Sequence, residues 1–156
     1  MKIRLLAVGQ KMPKWVTAGV TEYTRRLPAH LGLDVVELAP GRRSRNQPPD
    51  HAIAAERDAL MKSLKPDDTV VALDRAGELW STEKLASRLR GWMGSGRNVA
   101  LLVGGPDGLH ADCLTRANMS WSLGRITLPH PLVRIILAEQ IYRAWTILEG
   151  HPYHRG

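Results

Sequence analysis

The sequence holds a single cysteine, Cys113, which excludes an internal disulfide framework and leaves no thiolate cluster for zinc. No apolar run approaches the roughly 20 residues that cross a bilayer. The opening MKIRLLAVGQKMP has too short an apolar stretch for a secretory signal and no small-residue cleavage site. Long Ser/Gly or Gln/Asn tracts are lacking, as are internal repeats and any linker that would divide the chain. These absences point to one soluble, cytoplasmic domain over residues 1–156, with no structural metal. Familiar catalytic signatures are missing as well. There is no G-x-x-x-x-G-K-[ST], no H-E-x-x-H and no Ser-His-Asp context, and Gly94-Ser95-Gly96 precedes a strand where a dinucleotide fingerprint would have to open a helix.

What is present is ordinary globular material, 44% hydrophobic and 24% charged, in 156 residues. That length suffices for one domain burying roughly 70% of its unfolded surface. The net charge of +7 favours an anionic partner. Its placement is uneven: residues 1–45 carry nine Lys/Arg against three acids, and the rest of the chain 13 against 12. A phosphate-rich partner facing the first third of the chain is the reading this supports.

Hydrophobic periodicity predicts strands at residues 2–8, 33–38, 69–73, 98–103 and 121–127, alternating with helices at 13–27, 50–64, 81–93, 111–117 and from 133 onward. Asp50 is the expected cap of the second helix. Alternating strands and helices predict an α/β domain with a largely parallel sheet. The stretch from Trp121 to Trp145 organises the rest. Its Leu128-Pro129-His130-Pro131 run is expected to stay extended, because a residue before proline is pushed out of the helical region. The helix after it is apolar on two faces: Val133, Leu137, Ile141 and Ala144 on one, Ile135, Ala138 and Tyr142 on the other. This predicts a core on one side and a partner subunit on the other.

In parallel sheets ligands bind in the loops that follow the strands. Three such loops, at 73–77, 104–108 and 123–131, are rich in glycine, so backbone groups would hold a ligand such as an adenine ring or a methionine moiety. His130, between two prolines, and Arg143, four residues after Glu139, are each open to a purely structural reading. The end, His151-Pro152-Tyr153-His154-Arg155, is either a frayed terminus or a cluster able to stack on a base and meet phosphate.

Taken together, GGPDGL (104–109), SWSLGRITLPHPLVR (120–134), AEQIYRAW (138–145) and HPYHR (151–155) closely resemble the large-subunit ribosomal RNA pseudouridine N3-methyltransferases of the SPOUT superfamily. AVGQKMPKWV, TEYTRRLP and LDRAGELWST fit the same family, so the resemblance covers nearly the whole chain and is weakest from Arg42 to Lys65. It implies an α/β knot, in which the C-terminal segment is threaded into a trefoil against the general rule that chains do not knot. It implies S-adenosylmethionine as cofactor, held by Leu73, Gly104, Leu123, Gly124, Arg125, Ile126, Thr127 and Leu128. It further implies a homodimer acting on 23S ribosomal RNA in assembled ribosomes, without metal or membrane. His154 would remove the N3 proton, Arg155 and Arg143 would stabilise the anion, and Tyr153 would position the base. Lys11, Lys14, Arg25, Arg26, Arg42, Arg43 and Arg45 would hold RNA backbone. Two other functions fit the same sequence: a SPOUT methyltransferase acting on a ribose or on transfer RNA, and a non-catalytic basic assembly factor.

Overall fold

Strand β1, Lys2–Val8, shows how the sequence builds this fold. Ile3, Leu5 and Ala7 point to one side and Leu6 and Val8 to the other, and all five are buried. A strand buried on both faces belongs inside a parallel sheet covered on each side, and that is where β1 lies. The computed structural model describes residues 1–155. The elements are β1, α1 (Lys14–Thr24), β2 (Gly32–Leu38), α2 (Asp50–Ser63), β3 (Thr69–Leu79), α3 (Thr82–Ser95), β4 (Val99–Val103), α4 (Ala111–Arg116), β5 (Met119–Ser122) and α5 (His130–Glu149), with a final 3-10 turn at Pro152–Arg155. The sheet runs β2-β1-β4-β3-β5, and every strand pair in it is parallel.

Helices α1, α3 and α5 cover one face, where Leu85, Leu89, Leu137 and Ile141 pack on Ile3, Leu5 and Leu101. Leu60 of α2 and Cys113 of α4 cover the other, against Leu6, Val70 and Leu102. Because β4, β3 and β5 are neighbours, the three loops leaving their carboxyl ends converge at one edge of the sheet.

The structure departs from the sequence reading at five places. The first is β5, which spans Met119–Ser122 where residues 121–127 were expected, the chain leaving the sheet after Ser122 with Gly124 at φ +131°. Helix α5 begins at His130, within the proline run expected to be extended. Pro131 is tolerated there because the first-turn N–H it lacks would have no helical acceptor. Strand β3 does not end at Leu73 but continues to Leu79, with a bulge over residues 74–77, so that Trp121 of β5 pairs with both Leu73 and Glu78. Gly77 makes the bulge possible: a Cβ there would lie 2.9 Å from the Ser120 and Trp121 backbone. Asp50 is the first residue of α2, not its cap, and Pro49 stands at the cap position. The second apolar face of α5 is also accounted for within the chain. Ala138 and Tyr142 are buried, Gly19 of α1 lies against Ile135, and α5 packs on both α1 and α3.

Candidate active site

The converging loops enclose a cavity of about 460 Å³, within the range of small-molecule sites. Its walls come from the β3 bulge (Leu73, Asp74, Arg75), the β4–α4 loop (Val103 to Leu109) and the β5–α5 loop, with Trp121 beneath and Val133 of α5 closing one side. Tight local bonding shapes it. In the β4–α4 loop the Gly108 amide donates to the Gly105 carbonyl at 3.0 Å. In the β5–α5 loop the buried Ser122 hydroxyl accepts from the Gly124 amide at 3.1 Å. Arg75 donates to the Arg125 carbonyl at 3.1 Å, tying the first loop to the third.

Of the residues named from the sequence, Leu73, Gly104, Leu123, Gly124, Ile126, Thr127 and Leu128 line this cavity. Arg125 does not; its side chain is exposed and its carbonyl serves the tie to Arg75. Trp121 and Val133 were missed, since both read simply as core residues.

The C-terminal residues gather elsewhere. Tyr153 packs edge-on to Tyr142 with ring centroids 4.7 Å apart, and the Arg143 guanidinium lies 4.9 Å from the Tyr153 ring centre. Arg143 also donates to Glu139 at 2.9 Å, and this carboxylate holds its pKa above the ordinary arginine value. Burial raises the Tyr153 hydroxyl pKa, keeping it a neutral donor. His154 Nδ1 is buried with no partner among the described residues. The tail is thus packed, not frayed, but it sits on the far half of α5. From Val133 to Tyr142 is nine residues, about 14 Å along a helix axis, and nothing beyond Val133 lines the cavity.

The basic residues divide into two groups. Lys11, Lys14, Arg42 and Arg45 are exposed, with no ion-pair partner among the described residues. Arg25 and Arg26 are engaged by Glu22, and Arg26 also lies over the Tyr23 and Tyr142 rings. Arg43 is structural: it bridges Glu56 at 2.8 Å and Asp107 at 2.9 Å. Glu56 is only 2% exposed, so the pair pins the loop around Gly41 against the glycine loop of the cavity.

A buried cation, Arg134, is 2% exposed and was not singled out from the sequence. It donates to the Gly9 carbonyl at 2.8 Å and to His130 Nε2 at 3.0 Å, and it pairs with Glu37. The i, i+4 spacing of His130 and Arg134 was the available signal. Arg134 therefore joins the first turn of α5 to the β1–α1 loop, and burial, followed by the Arg134 charge, lowers the His130 pKa from 6.5. The folded state then resists protonating His130 while the unfolded chain accepts a proton, so its contribution is complete above pH 6.5 and lost below it. Wild type should lose thermal stability more steeply than His130→Gln as pH falls below about 6.5 in parallel melting series. Equal slopes would remove His130 from the explanation.

Among the described residues, no group of three His, Cys, Asp or Glu could hold a metal, and no helix is long and apolar enough to cross a membrane. A parallel sheet with a glycine-walled cavity over three adjacent strand ends, and a buried helix returning from the last strand, defines the class. This chain belongs to the SPOUT methyltransferase family. The family described as "Predicted SPOUT methyltransferase" matches residues 1–154. Among its relatives, the Ribosomal RNA large subunit methyltransferase H of Chromohalobacter salexigens is 55% identical over 155 residues, covering 99% of this chain and all of that protein. The protein of the same name from a Marinomonas species is 52% identical, again over 99% of this chain and all of its own length. A methylase-family protein from Neisseria gonorrhoeae has a similar fold, with a TM-score of 0.54 at 15% identity over 90% of this chain and 80% of its own.

Proposed function

We propose that this enzyme transfers a methyl group from S-adenosylmethionine to N3 of a pseudouridine in 23S ribosomal RNA, acting as a homodimer on assembled ribosomes. The observation that carries the reading is the separation between the glycine-walled cavity and the C-terminal cluster of Tyr153, His154 and Arg143, two halves of one site that a single chain keeps apart. Relatives that match end to end and are named as large-subunit ribosomal RNA methyltransferases support the substrate class.

S-adenosylmethionine fits the cavity. Gly104 and Gly124 leave backbone groups free to meet an adenine edge, Leu73, Trp121 and Leu128 offer apolar contact, and the Asp74 carboxylate can accept from ribose hydroxyls. Bound there, the sulfonium supplies an electrophilic methyl group. Family membership implies that the segment after β5 is threaded as a trefoil, with residues 123–128 closing the cavity.

A second copy completes the site. Ile126 (72% exposed), Trp15 (54%) and Leu132 (39%) lie at the same end of the α1–α5 pair as the cavity, and exposed apolar groups so placed suit a dimer contact. In the proposed dimer the partner's tail supplies the second half of this site. The N3 proton is acidic only well above neutrality, so it must leave before or during attack. The His154 imidazole accepts it, Arg155 and Arg143 face the negative charge spreading onto the flanking carbonyl oxygens, and Tyr153, neutral and rigidly packed, orients the ring.

Lys11, Lys14, Arg42 and Arg45 are free to meet RNA phosphates. Neutralising these four should raise KM for ribosomes and flatten its salt dependence by about 0.7–0.9 in log-log slope for each lost contact, with kcat retained. An unchanged slope would remove them from the RNA surface.

The defining experiment is methyl transfer from labelled S-adenosylmethionine to assembled ribosomes. Label should enter one pseudouridine, and ribosomes lacking that pseudouridine, or naked RNA, should take up far less. Equal labelling of naked RNA would refute the assembled-ribosome requirement, and labelling of a ribose or of transfer RNA would refute the proposed target.

A further inference from the structure

A second cavity, of about 550 Å³, lies against the first. The two share Val103, Gly104, Gly105, Pro106, Leu128 and Val133. The two cavities therefore adjoin along this edge, where two of the six shared residues are glycines with no side chain to fill the space between them.

Its other walls come from the end of β1 and the β1–α1 loop, from Pro40 after β2, and from His130 at the start of α5. Val8, Met12 and Pro40 present apolar surface, and Gln10, exposed at the mouth, presents an amide with both a donor and an acceptor. Lys11, exposed beside it, brings positive charge. The loop is preset: Lys11 has φ +57° and Gly9 φ +136°, and the buried Arg134 guanidinium fixes the Gly9 carbonyl. A non-glycine residue in the left-handed region is strained and persists where the surroundings impose it.

These features match an unpaired pyrimidine. Its faces are flat and apolar, its edge alternates carbonyl oxygens with N–H, and a phosphate follows it. An enzyme acting on a base takes that base out of its stack into a fitted pocket. Methyl transfer also requires nucleophile and methyl within about 3–3.5 Å, which restricts the base to a space adjoining the donor. We propose that this second cavity is the docking chamber of the target base, with Gln10 reading its edge and Met12 and Pro40 holding its faces. The inference rests on the RNA methylation proposed above and assigns the substrate half of that site to the β1–α1 loop.

Gln10 is the place to test it, because its side chain is exposed and substitution leaves the core intact. Gln10→Trp, which plugs the mouth, should cut single-turnover methyl transfer to ribosomes at least 100-fold while S-adenosylmethionine affinity by calorimetry stays within twofold. Gln10→Ala should raise KM for ribosomes about five- to tenfold. Transfer by Gln10→Trp within threefold of wild type would overturn the chamber, and so would a tenfold loss of donor affinity, which would make the cavity a lobe of the donor site. A second readout needs no turnover. With S-adenosylhomocysteine bound, millimolar pseudouridine nucleoside should shift the Met12 methyl resonance of wild type but not of Gln10→Trp. An unmoved Met12 signal would overturn the chamber, whereas a shifted signal in a protein that methylates no RNA would retain it and remove the proposed reaction.

Discussion

Alanine at Gly104 should weaken S-adenosylmethionine binding at least 100-fold, equivalent to about 2.7 kcal/mol. The added Cβ would stand 2.6 Å from the Gly108 carbonyl carbon, 2.7 Å from its oxygen and 2.9 Å from the Leu109 nitrogen. All three are backbone atoms, so no side-chain rotation relieves the clash and the loop itself must spread. That loop walls both cavities, so its displacement should be felt in binding more than in folding, where overpacking typically costs about 1–3 kcal/mol. Gly94→Ala is the natural control, since a Cβ there meets nothing within 4 Å and lies in a helix. It should leave donor affinity unchanged and add up to about 1 kcal/mol of stability. Calorimetry on both variants tests this, and donor affinity of Gly104→Ala within threefold of wild type would defeat the assignment of the pocket.

His154→Ala should lower single-turnover methyl transfer by about 10²- to 10⁴-fold, the usual contribution of a positioned proton acceptor, without changing donor affinity. The more discriminating result comes from mixing. Gly104→Ala and His154→Ala should each be inactive alone, yet an equimolar mixture allowed to exchange subunits should recover about a quarter of wild-type activity. In a two-fold symmetric dimer, half the molecules are then hybrids, and each hybrid pairs one intact pocket with one intact tail. If each tail served its own pocket, no combination would be competent and the mixture would stay inactive. The distance along α5 between Val133 and Tyr142 is the reason to expect recovery.

The strand pattern was legible because β1 and β4 are apolar on both sides and nothing else in the chain competes for their places. The loops that line the cavity were legible for a related reason: in a parallel sheet, glycines just after buried strands have few other uses. What escaped depended on partners distant in sequence. Arg43 reads as one of a basic run, yet its role is set by Glu56 and Asp107 on two other elements. Arg134 reads as a helix-surface residue until Gly9 and Glu37 are brought to it. The pre-proline rule placed the start of α5 three residues late, because a local preference gave way to a helix terminus that had no use for the missing N–H. The β3 bulge had no signal beyond Gly77, whose meaning depends on the backbone of β5 passing beneath it. The two apolar faces of α5 suggested a partner, and two helices of the same chain cover much of what was assigned to it. The exposed residues beside the cavity make the stronger argument for a dimer.

The pairing of Trp121 with Trp80 has an optical consequence. The two indoles stack with centroids 4.9 Å apart and planes 13° from parallel, and Trp121 forms part of the cavity wall. Rings held that close couple their excited states, so the near-ultraviolet circular dichroism of this protein carries the signature of a site wall. Filling the cavity should therefore change the intrinsic near-ultraviolet spectrum, with no label attached.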